Sequence, residues 1–146
     1  MNTQTAGTDL EFRIEIERQI NAPINDVFES LLTQMGEESV THEGNALHLK
    51  IEAFPGGRWY RDLGDGNGHY WGTVQSIKRP VLMEITGPLF MSHPVTNNVQ
   101  YRLEETDGVT TLKLVHTGFG PTPEGLTDAM HGGWTDQMDR ITARLA

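Results

Sequence analysis

The stretch TPEGLTDAMHGGWTDQMDRITARLA, from Thr122 to Ala146, decides the fold. Its apolar residues Leu126, Met130, Trp134, Met138, Ile141 and Leu145 recur at intervals of four, four, four, three and four. Side chains three and four apart share one face of an α-helix, so this is a single apolar stripe. Thr122 is placed to cap the helix, and Pro123 at the first helical position loses no needed N–H. Gly132-Gly133 interrupts the middle, where each glycine costs about 1 kcal/mol of helix propensity. The expectation is that the helix comes close to a sheet at this step, with Trp134 walling the gap.

The chain before that helix reads mostly as strand. Glu11–Ile20 alternates: Phe12, Ile14, Ile16 and Ile20 point one way and the charged residues the other, as in a half-buried antiparallel strand. Arg18 falls on the apolar face. Ala22-Pro23 ends this strand and opens a short helix, in which Ile24, Val27, Phe28 and Leu31 follow helical spacing and Gly36 supplies the stop. From Ala46 onward, alternating runs are separated by turn signals. Leu47 to Ala53 is expected as one strand, and further strands follow Pro55-Gly56-Gly57, Gly64 to Gly68, Lys78-Arg79-Pro80, Gly87 to Asn98 and Asp107-Gly108. Strand, helix, hairpin-spaced strands and a final long helix predict an α+β fold, an antiparallel sheet of about six or seven strands with one helix across its face.

Bulk properties narrow the function classes. The 146 residues suit one domain, expected over residues 10–146 after a flexible polar tail at residues 1–9. With 20 acidic against 11 basic residues, the net charge of −9 repels polyanions, so no nucleic-acid partner is expected. No apolar run is long enough to span a membrane and no signal-peptide pattern is present, which gives the expectation of a soluble cytoplasmic protein without membrane insertion. The absence of cysteine excludes disulfides and thiolate chemistry. The six histidines show neither metal-protease pairing nor a three-ligand set, so no metal and no cofactor is called for. No nucleophile motif is present.

The ordered set Arg18-x-Ile20-x-Ala22-Pro23-x-x-x-Val27-Phe28, Phe54-Pro-Gly-Gly-Arg-Trp59, Gly72-Thr-Val74, Arg79-Pro80, Thr111-Leu-Lys-Leu-Val-His116 and Gly133-Trp134 resembles the SRPBCC superfamily. These are the START and birch-pollen-allergen-like proteins of helix-grip fold. Within them the chain is most similar to the branch named after the C-terminal domain of the activator of the ninety-kilodalton heat-shock-protein ATPase. The resemblance runs from about Phe12 to Leu145. It implies a curved sheet wrapped around the C-terminal helix, with an apolar cavity between them. Members bind lipids, sterols, hormones or polyketides; some are cyclases or aromatases, and some are co-chaperones. In one respect the chain departs from the family: Thr33 to Asn45 is short and polar where members often carry a longer, tryptophan-containing helical segment that closes one end of the cavity.

The candidate ligand-binding residues are Arg18, Trp59, Trp71, Tyr101, His116, Met130 and Trp134. An inward Arg18 needs a partner, either a ligand anion at the cavity rim or a structural carboxylate. The resemblance implies that arginine is usual here across members of different activity, which favours the structural partner. His116 shares a face with Leu112 and Leu114, as a polar anchor for a ligand or as a satisfied core residue. The aromatic residues and Met130 suit the lining of an apolar pocket as well as plain core. Trp71 is ambiguous in facing, because Tyr70 and Val74 can form the inward set instead. Leu89-Phe90-Met91 reads as a lid, a homodimer contact or a loop folded onto the sheet. The leading expectation is a non-catalytic domain holding an apolar or amphipathic small molecule. The alternatives are a polyketide cyclase or aromatase and a chaperone-activating interaction domain.

Overall fold

The computed structural model describes residues 10–146; the predicted tail at residues 1–9 lies outside the described residues. The elements in order are β1 (Glu11–Ile20), α1 (Ile24–Met35), β2 (Leu49–Ile51), β3 (Arg58–Gly64), β4 (Asn67–Lys78), β5 (Leu82–Gly87), β6 (Thr96–Thr106), β7 (Val109–Phe119) and α2 (Leu126–Ala143). All strand pairs are antiparallel, in one seven-stranded sheet of order β1-β7-β6-β5-β4-β3-β2. The first strand thus pairs with the last, with Ile14 opposite His116 and Ile16 opposite Leu114.

Alternation puts one face of this sheet in the core. Ile14, Ile16, Leu112, Leu114, Val99, Tyr101, Met83, Ile85 and Trp59 are all buried, and they meet Met130, Trp134, Met138 and Ile141 of α2 and Val27, Phe28 and Leu31 of α1. Helix α2 lies against α1 and β1. At the start of α1 the Ile24 amide donates to Glu105 Oε1 of β6 at 2.7 Å, so a carboxylate from the sheet caps a helix whose own N-cap is proline. Buried Ser30 of α1 donates to the Ile141 carbonyl of α2 at 2.9 Å and ties the two helices together. Among the described residues no helix is long and apolar enough to cross a membrane.

Three local expectations are corrected. Helix α2 begins at Leu126, not at Pro123, and Thr122 does not cap it. Gly125 takes a left-handed conformation (φ 85°), which breaks the helical path between Pro123 and Leu126. The strand expected over Leu47 to Ala53 shrinks to Leu49–Ile51, because His48 stands at φ 56° and the preceding chain makes only an isolated bridge between Val40 and Ala46. Gly132-Gly133 is not a point of close approach. Both glycines are exposed, and a Cβ built on either would meet nothing within 4 Å.

Close approach occurs elsewhere, between β4 and β5. A Cβ on Gly87 would lie 2.4 Å from Gly72 Cα and 2.6 Å from the Trp71 carbonyl oxygen, so the strands meet there only because both residues are glycine.

Candidate functional site

Strand β4 changes its facing at Trp71. Trp59 pairs with Gly72 and Tyr60 pairs with Tyr70, leaving Trp71 unpaired on β3 as a β-bulge. A bulge inserts one residue and re-aims its side chain. It resolves the ambiguity of the alternation: Tyr70 is exposed, while Trp71 and Val74 both face inward.

Around Trp71 the aromatic side chains form a continuous edge-to-face row. Ring centroids stand 5.1 Å apart for Trp59 and Trp71, 5.6 Å for Trp71 and Phe90, and 5.9 Å for Phe90 and Trp134. Trp134 then meets Tyr101 at 6.4 Å and His116 at 5.6 Å. The loop after β5 holds this row in place. The Leu89 amide donates to the Trp71 carbonyl at 2.7 Å, and Leu89 and Met91 are buried on either side of Phe90. The apolar tip is therefore folded back onto the sheet, with only Phe90 reaching outward, at 36% exposure.

A cavity of about 360 Å³ opens beside this row, between α2 and the segment joining α1 to β2. Trp71, Phe90, Leu47, Met130 and Trp134 supply its apolar wall, and Ser39 to His42 close the end where the connection is short. Gly133 borders it, and the missing side chain there leaves free space. Gln137, Asp136 and Arg140 give it a polar side. Arg140 Nε donates to Asp136 Oδ2 at 2.8 Å, so the two charges offset one another. A wider concavity of about 970 Å³ between α1 and β2–β3 is a surface groove carrying the Lys50–Asp62 ion pair on its wall, with Tyr60 but no tryptophan or phenylalanine in its lining.

The seven candidate residues separate into wall and support. Trp71, Met130 and Trp134 line the cavity. Tyr101 lies behind it, fully buried, and donates its hydroxyl to Gln137 Oε1 at 2.8 Å; burial pushes its ionisation well above the ordinary phenol range. Trp59 donates its indole N–H to the Met35 carbonyl at 2.7 Å, satisfying the end of α1. His116 is fully buried, and burial lowers its pKa to about 4, so the ring is neutral. Its Nδ1 accepts from Trp134 Nε1 at 2.9 Å, which requires the proton on Nε2; that nitrogen donates to Asn97 Oδ1 at 2.8 Å. Arg18 lies outside the cavity lining, with Nε 3.5 Å from Asp139 Oδ1 on α2.

Sequence reasoning named Phe90 only within a candidate lid, and it missed Leu47, Gln137 and Arg140 as wall residues. The helical spacing from Met130 through Gly133 to Gln137 carried a signal for Gln137, since these residues fall on neighbouring rows of α2. Among the described residues no group of three or more His, Asp or Glu side chains is arranged to hold a metal ion.

The architecture is a helix-grip α+β fold with an aromatic cavity under the C-terminal helix. Its sequence matches the family described as Activator of Hsp90 ATPase homolog 1-like protein over residues 21–146, and the chain belongs to that family. A search of curated proteins finds no match. Among solved structures, protein MLL2253 from Mesorhizobium loti superposes with a TM-score of 0.71 at 18% identity, covering 92% of this chain and 96% of that one. CalU16 from Micromonospora echinospora gives 0.63 at 20% identity over 91% and 73% of the two chains. DynU16, from the dynemicin biosynthetic locus, gives 0.64 at 18% identity over 91% of this chain and 46% of its own. At these identities the likeness is one of fold.

Proposed function

We propose that the protein binds a small apolar or amphipathic molecule in the cavity between the sheet and the C-terminal helix. One observation carries this reading: the aromatic row of Trp71, Phe90 and Trp134 lines a cavity of about 360 Å³ instead of closing on itself. That volume lies in the range of small-molecule pockets, and a mostly apolar wall with a few placed polar groups is their usual make-up. Trp71, Met130, Trp134, Phe90 and Leu47 make the contact surface. Trp59, Tyr101 and His116 act from behind by fixing the wall, and Arg18 fastens β1 to α2.

A titration with 2-ethylnaphthalene tests the reading, followed by two-dimensional NMR of the indole N–H and methionine methyl signals. The Trp71, Trp134 and Met130 signals are expected to move together and saturate. If they stay in place up to the solubility limit of the probe, while other small aromatics also leave them unmoved, the cavity is not a ligand site.

A further inference from the structure

The cavity wall has a chemical imbalance. Among the described residues, Trp71 Nε1 is the one buried side-chain nitrogen or oxygen without a hydrogen-bond partner, and Trp71 is only 8% exposed. Every other indole is satisfied, Trp59 by the Met35 carbonyl and Trp134 by His116. A buried donor left unpaired bears its full desolvation cost, and such groups in native structures call for an explanation. None of the surrounding polar groups is bonded to it, and three of their acceptors already hold a hydrogen bond. The Nδ1 lone pair of His116 is engaged by Trp134, and Gln137 Oε1 accepts from Tyr101. Gln34 Oε1 accepts from Arg144 Nη2 at 2.8 Å. What Gln137 still offers is its amide Nε2, which has no hydrogen-bond partner among the described residues. The wall thus presents one buried donor without an acceptor, Trp71 Nε1, beside the accessible amide of Gln137.

The β-bulge sharpens the point. Regular pairing would give Trp71 a partner on β3, and instead the irregularity directs this indole to the cavity wall. Bulges are frequent beside functional sites for this reason. Phe90 packs edge-on against both Trp71 and Trp134 while remaining over a third exposed, so it is the piece of the wall whose displacement gives access to the indole.

We propose that the ligand is a planar aromatic molecule carrying a carbonyl-type oxygen, which accepts a hydrogen bond from Trp71 Nε1 when it displaces the Phe90 edge, with Gln137 Nε2 as the second donor. This rests on the cavity being a ligand site. The aromatic faces hold the ring system, and the oxygen supplies the acceptor that the wall lacks. A hydrocarbon of the same shape leaves Trp71 Nε1 unpaired.

The test compares 2-acetonaphthone with 2-ethylnaphthalene, in which the carbonyl is replaced by a methylene. Affinities of both are measured for the wild type and for Trp71→Phe, which keeps an aromatic ring and removes the donor. The ketone-to-hydrocarbon affinity ratio is expected to fall about fivefold in the variant, the effect of one net hydrogen bond. In the wild type, the ketone is expected to shift the Trp71 indole proton downfield and the hydrocarbon is not. An unchanged ratio overturns the proposal, as does an indole proton that responds equally to both probes. The second measurement stands even where the variant does not fold. If the hydrocarbon binds and the ketone shows no such preference, the donor proposal fails while the cavity remains a ligand site. If neither probe binds, the reading of the cavity fails with it.

Discussion

Trp134 donates its indole N–H to Nδ1 of His116 at 2.9 Å, and that bond sets the tautomer of the histidine and the orientation of the cavity wall together. The proton must then sit on Nε2, where Asn97 Oδ1 accepts it. Asn97 in turn donates to the carbonyls of Gly87 and Pro88 at 3.1 and 3.3 Å, just before the loop that carries Phe90. The helix, the last strand and the Phe90 loop are therefore joined through one neutral imidazole.

Protonation of His116 breaks this chain, because an imidazolium cannot accept from Trp134. Its folded pKa of about 4 lies below the ordinary histidine value, so between the two the unfolded chain binds more protons. The stabilisation is complete above about pH 6.5 and is lost progressively as pH falls toward 4, a loss of about 3 kcal/mol. Urea denaturation at a series of pH values measures it. A His116→Gln variant should show a flatter acid limb; an equally steep limb in that variant would assign the loss to other groups.

The two glycines of α2 have different consequences although they are adjacent. Neither is required by packing, since a Cβ at either meets nothing within 4 Å. Gly132→Ala is expected to raise stability by about 1 kcal/mol and leave probe affinity unchanged. Gly133 borders the cavity, and Gly133→Leu should weaken 2-ethylnaphthalene binding at least tenfold by filling it. Equal affinities for the wild type and Gly133→Leu would place the ligand elsewhere.

Gly87→Ala puts a methyl group 2.4 Å from Gly72 Cα, against backbone that cannot rotate away. The expected loss is about 1–3 kcal/mol in thermal or urea unfolding. Because the same methyl lies 2.6 Å from the Trp71 carbonyl, the Trp71 indole signal should also shift. A variant as stable as the wild type, with its indole signal unmoved, contradicts the close approach.

Arg18→Ala is expected to cost below about 1 kcal/mol, because its ion pair with Asp139 is long and lies at the surface. Probe affinity should not change. A tenfold loss of affinity in a calorimetric titration would instead bring Arg18 into the site.

The architecture was legible where a period could be read without interruption. Alternation from Phe12 to Ile16 and from Val99 to Leu103 gives the inward faces of β1 and β6, and the stripe from Met130 to Ile141 gives the buried face of α2. Legibility failed where the period breaks for a local reason. The extra residue at Trp71 cannot be seen in a run whose inward set is equally served by Tyr70 and Val74. The glycine pair suggested close approach because cost alone is visible in a sequence, whereas the empty space around both residues is visible only in three dimensions. Phe90 lies in a loop without periodicity, and Leu89 before it holds φ 58°, a value that nothing in its side chain announces.

Phe90 is the exposed edge of the cavity wall, and its ring is expected to govern access to the cavity. Its ring contacts two indoles edge-on, its neighbours Leu89 and Met91 are anchored in the core, and it alone of the three is substantially exposed. A side chain anchored on both flanks swings by changing rotamer and needs no loop movement. Phe90→Ala removes the barrier and also two aromatic contacts, so it should lower stability by about 1–2 kcal/mol. Ligand exchange should quicken in both directions, with association and dissociation of 2-ethylnaphthalene each faster than in the wild type by stopped-flow tryptophan fluorescence. Because the two rates rise together, the affinity changes less than either rate. Rates equal to those of the wild type would show that the ligand reaches the cavity by another route, past Gly133 and the open side of α2.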